Sequence, residues 1–237
     1  MATISQRGFL IIGHRGARGH APENTLAGLN RGIALGAQML EFDVQRCGTE
    51  LVLLHDPRLE RTTNGHGRLA DLDFAAVRRL DAGHGERIPT LDEALDCVAG
   101  RVPVNIEIKS ADGTGRMIAN TLRGRLAAGA APSEFLVSSF HLPELARFRA
   151  ALPEVPTGAL VCGVPIDLAA CASAVGASYF NISEEFIDRE LVDDAHARGL
   201  RVLAYTVNAA DEFPRLRDFG IDGVFTDYPD RAMEVLR

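Results

Sequence analysis

A chain of 237 residues, 46% of them hydrophobic and 24% charged, is long enough to bury one large α/β core. The net charge of −7 excludes a sequence-independent grip on nucleic acid or an anionic membrane, since both need a surplus of cationic side chains. It leaves room for a small phosphorylated substrate, because a cation and a few basic groups can reverse the field inside one pocket. No apolar run approaches the length of a membrane span, and the run at residues 9–12 is too short for a secretory core. Cys47, Cys97, Cys162 and Cys171 form no CxxC pair, so a cytoplasmic protein with reduced, structural thiols is expected.

Short β-branched runs then alternate with longer amphipathic ones. A strand is expected at residues 9–13, a helix at 25–35 with Asn24 as its cap, and a second strand at 39–44. Residues 47–50 turn the chain into a short extra strand at 51–54, paired back on the second strand as a hairpin. Residues 57–89 break the rhythm with two turn-rich stretches, Thr62-Thr63-Asn64-Gly65-His66-Gly67 and Asp81-Ala82-Gly83-His84-Gly85. They read as an insertion overhanging the mouth of the fold, either a lid or simple decoration. Thr90 is expected to cap a helix at 91–98. Strands follow at 102–108, 135–138, 157–161, 179–182, 202–207 and 223–226, with helices at 116–128, 143–151, 190–198 and 212–219 between them. Eight strands alternating with helices in a chain near the usual ~250 residues predict an α/β protein, a (β/α)₈ TIM barrel. One domain over residues 1–237 is expected, with a small insertion after the second barrel strand. An open doubly wound sheet is the alternative, but the glycine-rich dinucleotide turn is missing after the first strand.

Residues able to do chemistry gather at strand ends. Glu41 and Asp43 are two apart, so a strand sends both to one face while Phe42 and Val44 face the helices. Two carboxylates inside a barrel repel each other and lose hydration unless a cation neutralises them. A solvated face is the alternative on an exposed strand. Asn105, Glu107 and Lys109 repeat the spacing on the next barrel strand, where Glu107 would complete a three-carboxylate site and Lys109 would meet phosphoryl oxygens. A plain Glu–Lys ion pair is the competing reading. An all-oxygen ligand set favours Mg²⁺ or Ca²⁺ over Zn²⁺. His14 ends the first strand and His55 the extra one, and two imidazoles can divide the roles of general base and general acid. Arg15 would clamp a non-bridging phosphate oxygen. His20, His66, His84 and His196 read as surface residues, and His141 as a residue of the rim. The inventory suits metal-assisted cleavage of a phosphate ester.

In this order the residues resemble the glycerophosphodiester phosphodiesterase family. The match runs through His14-Arg15-Gly16, Ala21-Pro22-Glu23-Asn24-Thr25, Glu41-Phe42-Asp43-Val44, His55-Asp56 and Asn105-Ile106-Glu107-Ile108-Lys109. It ends in Tyr205-Thr206-Val207-Asn208 and Thr226-Asp227-Tyr228-Pro229, and so spans nearly the whole chain. The resemblance implies a barrel of the phosphatidylinositol-phospholipase-C-like type. Such an enzyme cleaves deacylated phospholipids, among them glycerophosphocholine and glycerophosphoethanolamine, to sn-glycerol 3-phosphate and an alcohol. It further implies Mg²⁺ or Ca²⁺ on Glu41, Asp43 and Glu107, His14 and His55 as the acid–base pair, and phosphate contacts from Arg15 and Lys109. Tyr205 stands where the family often carries Trp, and this chain has no Trp, so the aromatic wall for glycerol is altered. A barrel lyase or isomerase with Lys109 as base would instead turn over carboxylated sugars, and a phosphodiester-binding module would retain ligand without turnover.

Overall fold

The computed structural model describes residues 8–236; residues 1–7 and 237, the outer ends of the expected domain, lie outside the described residues. Eight strands run parallel: β1 (Leu10–Gly13), β2 (Met39–Cys47), β4 (Val104–Ile108), β5 (Phe135–Ser139), β6 (Thr157–Val161), β7 (Tyr179–Ser183), β8 (Arg201–Tyr205) and β9 (Gly223–Thr226). Their order is β1-β9-β8-β7-β6-β5-β4-β2, and β1 pairs again with β2 through Ile12–Met39 and Gly13–Leu40. That last pairing closes the ring, so the sheet is a barrel and the open doubly wound alternative is excluded. The extra strand β3 (Glu50–Leu53) lies antiparallel on the second half of β2, from Val44–Leu53 to Cys47–Glu50. The hairpin therefore extends β2 three residues beyond the expected end at 44.

Helices cover the outside: α1 (Leu26–Ala34), α3 (Leu91–Val98), α4 (Thr114–Ala127), α5 (Leu142–Ala151), α6 (Ala170–Ala174), α7 (Arg189–Ala197), α8 (Glu212–Phe219) and α9 (Pro229–Val235). The outward side chains Phe42, Val44, Ile106 and Val137 join Leu29, Leu95, Ile118 and Phe148 of the helices in one buried cluster. Alternate residues point inward, where Leu10, Ile12, Met39, Leu136, Tyr179, Leu203 and Phe225 form an apolar floor. Two positions along each of several strands the chemistry changes, from Ile12 to His14, Met39 to Glu41 and Phe225 to Asp227. The period of two thus carries the chain from a dry floor to a polar mouth.

Several expectations need correction, and the strand expected at 202–207 already ends at Tyr205. Asn24 does not cap α1; Thr25 does, its Oγ1 accepting from the Gly28 amide at 3.0 Å. Asn24 has φ +57 and turns its amide instead onto Asp43 of β2. The strand expected at 102–108 begins only at Val104, because Pro103 has no amide hydrogen, although its carbonyl still accepts from Leu40 at 3.1 Å. Thr90 caps α3 as expected, in a reciprocal capping box with Glu93. The insertion, with the short helix α2 (Phe74–Val77), packs Leu59, Leu69, Val77 and Ile88 against Cys47, Val52 and Leu54 of the hairpin. Among the described residues no helix is long and apolar enough to cross a membrane.

Candidate active site

Register decides which side chains meet. Glu41 pairs with Asn105 and Asp43 with Glu107 across the parallel ladder, so two strands present four polar groups side by side at the mouth. Glu41, Asp43 and Glu107 are all buried and offer carboxylate oxygens within 4.8 Å of one another. Each gives one oxygen to the protein. Glu41 Oε2 accepts from the Arg15 amide at 2.8 Å, Asp43 Oδ2 from Asn24 Nδ2 at 2.8 Å, and Glu107 Oε1 from Lys109 Nζ at 2.7 Å. Glu41 Oε1, Asp43 Oδ1 and the Asn105 amide oxygen have no hydrogen-bond partner among the described residues.

Burial, reinforced by Asp43 and Glu107, holds Glu41 well above the usual carboxylate range. Burial and then Asp43 raise Glu107 to about 7, against the pull of Lys109. Lys109 and Arg15 thus do not satisfy the cluster by themselves. Partnerless buried oxygens, mutual repulsion and a purely oxygen donor set are what a hard divalent cation relieves, and the residues fit one. The Glu–Lys pair expected as the competing reading is present, with Lys109 Nζ also 3.6 Å from Asp43 Oδ1, but neither that oxygen nor Glu41 Oε1 receives a hydrogen bond among the described residues.

Both proposed imidazoles stand beside this cluster, each backed by a carboxylate. His14 follows β1 and sets Nδ1 2.7 Å from Asp227 Oδ1, at the end of β9. Asp227 is itself held by Asn208, whose Nδ2 donates to Oδ2 at 2.9 Å and whose Oδ1 accepts the Asp227 amide at 2.9 Å. His55 sets Nδ1 2.6 Å from Asp56 Oδ1. With Nδ1 engaged, each ring has Nε2 left for a substrate. Gln45, next after Asp43 on the inward face of β2, donates Nε2 to the carbonyls of Leu54, His55 and Asp56 at 2.7–3.1 Å and so fixes the His55 turn. Burial lowers the His55 pKa below its ordinary value, with Asp43 and Asp56 opposing.

Arg15 is 7% exposed, with Nη1 2.7 Å from Glu23 and Nε 3.2 Å from Asp43. Its φ of +50 is a conformation a side-chain-bearing residue rarely adopts, and it turns the Arg15 amide onto Glu41. Gly16 follows because an added Cβ would lie 2.5 Å from the Gly28 backbone of α1. Burial would raise Glu23, but Arg61 and Arg15 overcome it and hold the carboxyl at about 2. A cavity of about 200 Å³ is lined by His14, Arg15, Glu41, His55, Glu107, Lys109 and Tyr205, which is every expected site residue except Asp43. Phe140, Leu160 and Phe225 complete its apolar wall, and Phe140 meets the Tyr205 ring edge-on at 5.6 Å. The Tyr205 hydroxyl donates to the Val161 carbonyl at 2.8 Å. A larger groove of about 270 Å³ beside β3, α3 and α4 has no comparable set of titratable groups, so size does not mark the site.

The sequence profile of the glycerophosphoryl diester phosphodiesterase family matches residues 14–231. The chain belongs to that family. It is therefore an enzyme, a hydrolase of phosphoric diesters. Its relatives include a glycerophosphodiester phosphodiesterase of Caldanaerobacter subterraneus subsp. tengcongensis, 33% identical over 96% of this chain and 98% of that one. One from Bacillus altitudinis is 31% identical over 95% and 97% of the two chains. Among solved structures, an Oleispira antarctica phosphodiesterase in complex with the product sn-glycerol-3-phosphate superposes with a TM-score of 0.88, at 31% identity and 96% coverage of both chains.

For this phosphodiesterase three of the other five histidines have partners away from the cavity. His20 pairs with Asp230, His196 with Asp222, and His141 caps α5 through Nδ1, so its rim position serves a helix end. Sequence reasoning gave no part to Asp227, Asn208, Gln45, Glu23 or Arg61. Phe225-x-Asp227 has the same step as Ile12-x-His14, and Gln45 continues the row Glu41-x-Asp43, so spacing held a signal for two of them. Arg61 lies in the insertion, where no periodicity points to a partner.

Proposed function

We propose that this enzyme hydrolyses glycerophosphodiesters, such as glycerophosphocholine and glycerophosphoethanolamine, to sn-glycerol 3-phosphate and the free alcohol. One observation carries the reading: three clustered carboxylates share a cavity with two imidazoles that each lean on a further carboxylate. The product named for the Oleispira antarctica structure supports the choice of glycerol side. Glu41, Asp43 and Glu107 would hold one divalent cation, Mg²⁺ or Ca²⁺, with Asn105 supplying a neutral oxygen beside them. When bound, such a cation offsets negative charge growing on the phosphoryl oxygens during displacement.

The remaining work falls to side chains of the chain itself. One of His14 and His55 takes the proton of the attacking oxygen and the other protonates the departing alcohol, both through Nε2. Asp227 and Asp56 keep each ring in one tautomer and orientation. Arg15, anchored by Glu23 and Asp43, and Lys109, anchored by Glu107, meet phosphoryl oxygens. Tyr205 presents its ring rather than its committed hydroxyl, and with Phe140 forms the wall for the glycerol carbons. The reading is of a cytoplasmic enzyme with a small-molecule substrate.

The test is a coupled glycerol 3-phosphate assay over choline, ethanolamine, glycerol and inositol diesters, with chelation and separate add-back of Mg²⁺ and Ca²⁺. Turnover that vanishes on chelation and returns with one of the two ions is expected. Full activity after thorough chelation would refute the cation assignment, and no release from any of the diesters would refute the reaction.

A further inference from the structure

Among the described residues, none from the insertion at 57–89 lines the cavity, yet one of its side chains reaches the supports of two groups that do. Arg61 engages two carboxylates at once. Nη1 and Nη2 donate to Glu23 Oε2 and Oε1 at 2.9 and 2.8 Å. Nε and Nη2 donate to Asp56 Oδ2 and Oδ1 at 2.5 and 3.1 Å. Four bonds in one plane are what a guanidinium provides and a lysine ammonium does not. Each carboxylate in turn holds a group of the site. Glu23 Oε1 accepts from Arg15 Nη1 at 2.7 Å, and Asp56 Oδ1 lies 2.6 Å from His55 Nδ1.

The two ends depend on Arg61 unequally. Glu23 also has Arg15 and Arg18, the latter with Nε 3.2 Å from Oε2. The Asp56 carboxylate has only Arg61 and His55 as partners among the described residues. Gln45 bonds the backbone carbonyls of that turn and leaves its side chains unheld. Arg61 itself stands on a packed base. Leu59 is fully buried with Leu69, Val77 and Ile88, and Thr63 bonds back to the Leu59 carbonyl through its amide at 3.0 Å and its Oγ1 at 2.8 Å.

We propose that Arg61 is a positioning residue of the reaction, acting on His55 through Asp56, and that this contact is what the insertion contributes to the site. The inference rests on the phosphodiesterase reading and adds a residue to it. Without Arg61 the Asp56 carboxylate is free to turn, and the His55 ring turns with it, so that Nε2 misses the reacting oxygen more often. Arg15 keeps its contacts to Glu23 and Asp43, so substrate binding is preserved. The loss therefore falls on kcat rather than KM.

The experiment measures choline release from glycerophosphocholine by the wild type, Arg61→Ala, Arg61→Met, Asp56→Ala and the pair Arg61→Ala/Asp56→Ala, with the folded fraction of each taken from calorimetry. Arg61→Ala should lower kcat about 10-fold, part of the ~10²–10⁴-fold that a general acid or base supplies, with KM within about twofold of wild type. Arg61→Met keeps the length without the donors and should match it, and it decides the question if the Ala variant does not fold. Asp56→Ala should lower kcat at least as far, and adding Arg61→Ala to it should cost nothing more, because both substitutions act on one ring. Losses that multiply in the pair, a kcat within about twofold of wild type in both Arg61 variants, or a rise in KM alone would each overturn the inference. So would a fall in kcat that merely equals the fall in folded protein. In all these cases wild-type turnover leaves the phosphodiesterase reading standing, whereas no choline release from the wild type would defeat both.

Discussion

His14 and His55 differ in what holds them, and the difference shapes what mutation should do. Replacing either by Ala should lower kcat by ~10²–10⁴-fold, the usual range for a general acid or base, with KM nearly unchanged. Asp227→Asn keeps the shape but removes the charge behind His14, so it should lower kcat while leaving cation binding intact. Steady-state kinetics beside a metal titration separate the two effects, and a loss of metal affinity without loss of kcat would count against the assignment. Glu107 makes a pH prediction. Without metal its folded pKa is about 7, above the usual carboxyl value, so the protonated form favours the fold. That contribution is complete at low pH and drains away as pH rises from about 4.5 through about 7. A bound cation removes the need for the proton. The gap between Tm with Mg²⁺ or Ca²⁺ and Tm in chelator should therefore widen across that window. A gap that stays flat with pH would contradict the cluster as cation site.

Elements position the site as much as residues do. The β2–β3 hairpin delivers His55, and Gln45 ties the turn beyond β3 back to β2 through three carbonyls. Outside it, Arg61 of the insertion bonds both Glu23 of the first loop and Asp56 beside His55, stapling two loops over the mouth. Glu23 and Asp56 both have depressed pKa values, with Arg61 among the causes. The staple is thus fully formed above the ordinary carboxyl range and fails as pH falls toward about 2. Arg61 is itself 42% exposed, so solvent screening limits the effect to roughly 1 kcal/mol. Arg61→Ala should lower stability by that order at neutral pH, and the difference from wild type should shrink in acid. Urea titrations at pH 7 and pH 3 check it, and a difference equal at both would remove the staple from the account.

At the scale of the whole molecule, closure is what counts. β1 pairs on both sides, with β9 and β2, so the first and last strands complete one another. One buried cluster runs from Ile11 of β1 to Ala232 of α9, joining both ends of the described chain. We propose that the chain folds as one domain, insertion included. Calorimetry should show a single unfolding transition with van't Hoff and calorimetric enthalpies in agreement. A separate early transition, lost when the insertion is shortened, would assign residues 57–89 a stability of their own.

Element order, the inward placing of Glu41, Asp43 and Glu107, and the Thr90 cap could be read from the chain alone. Each depends on neighbours a few residues apart, where the period of a strand or the first turn of a helix sets direction. Asn24 was misplaced by the same local reasoning, because its partner Asp43 lies on another element and outcompetes the helix end. The pairing of His14 with Asp227 spans 213 positions and the Glu23–Arg61 pair spans 38. Neither can be deduced from spacing, since both contacts exist only after the barrel has closed and its loops have met at one rim.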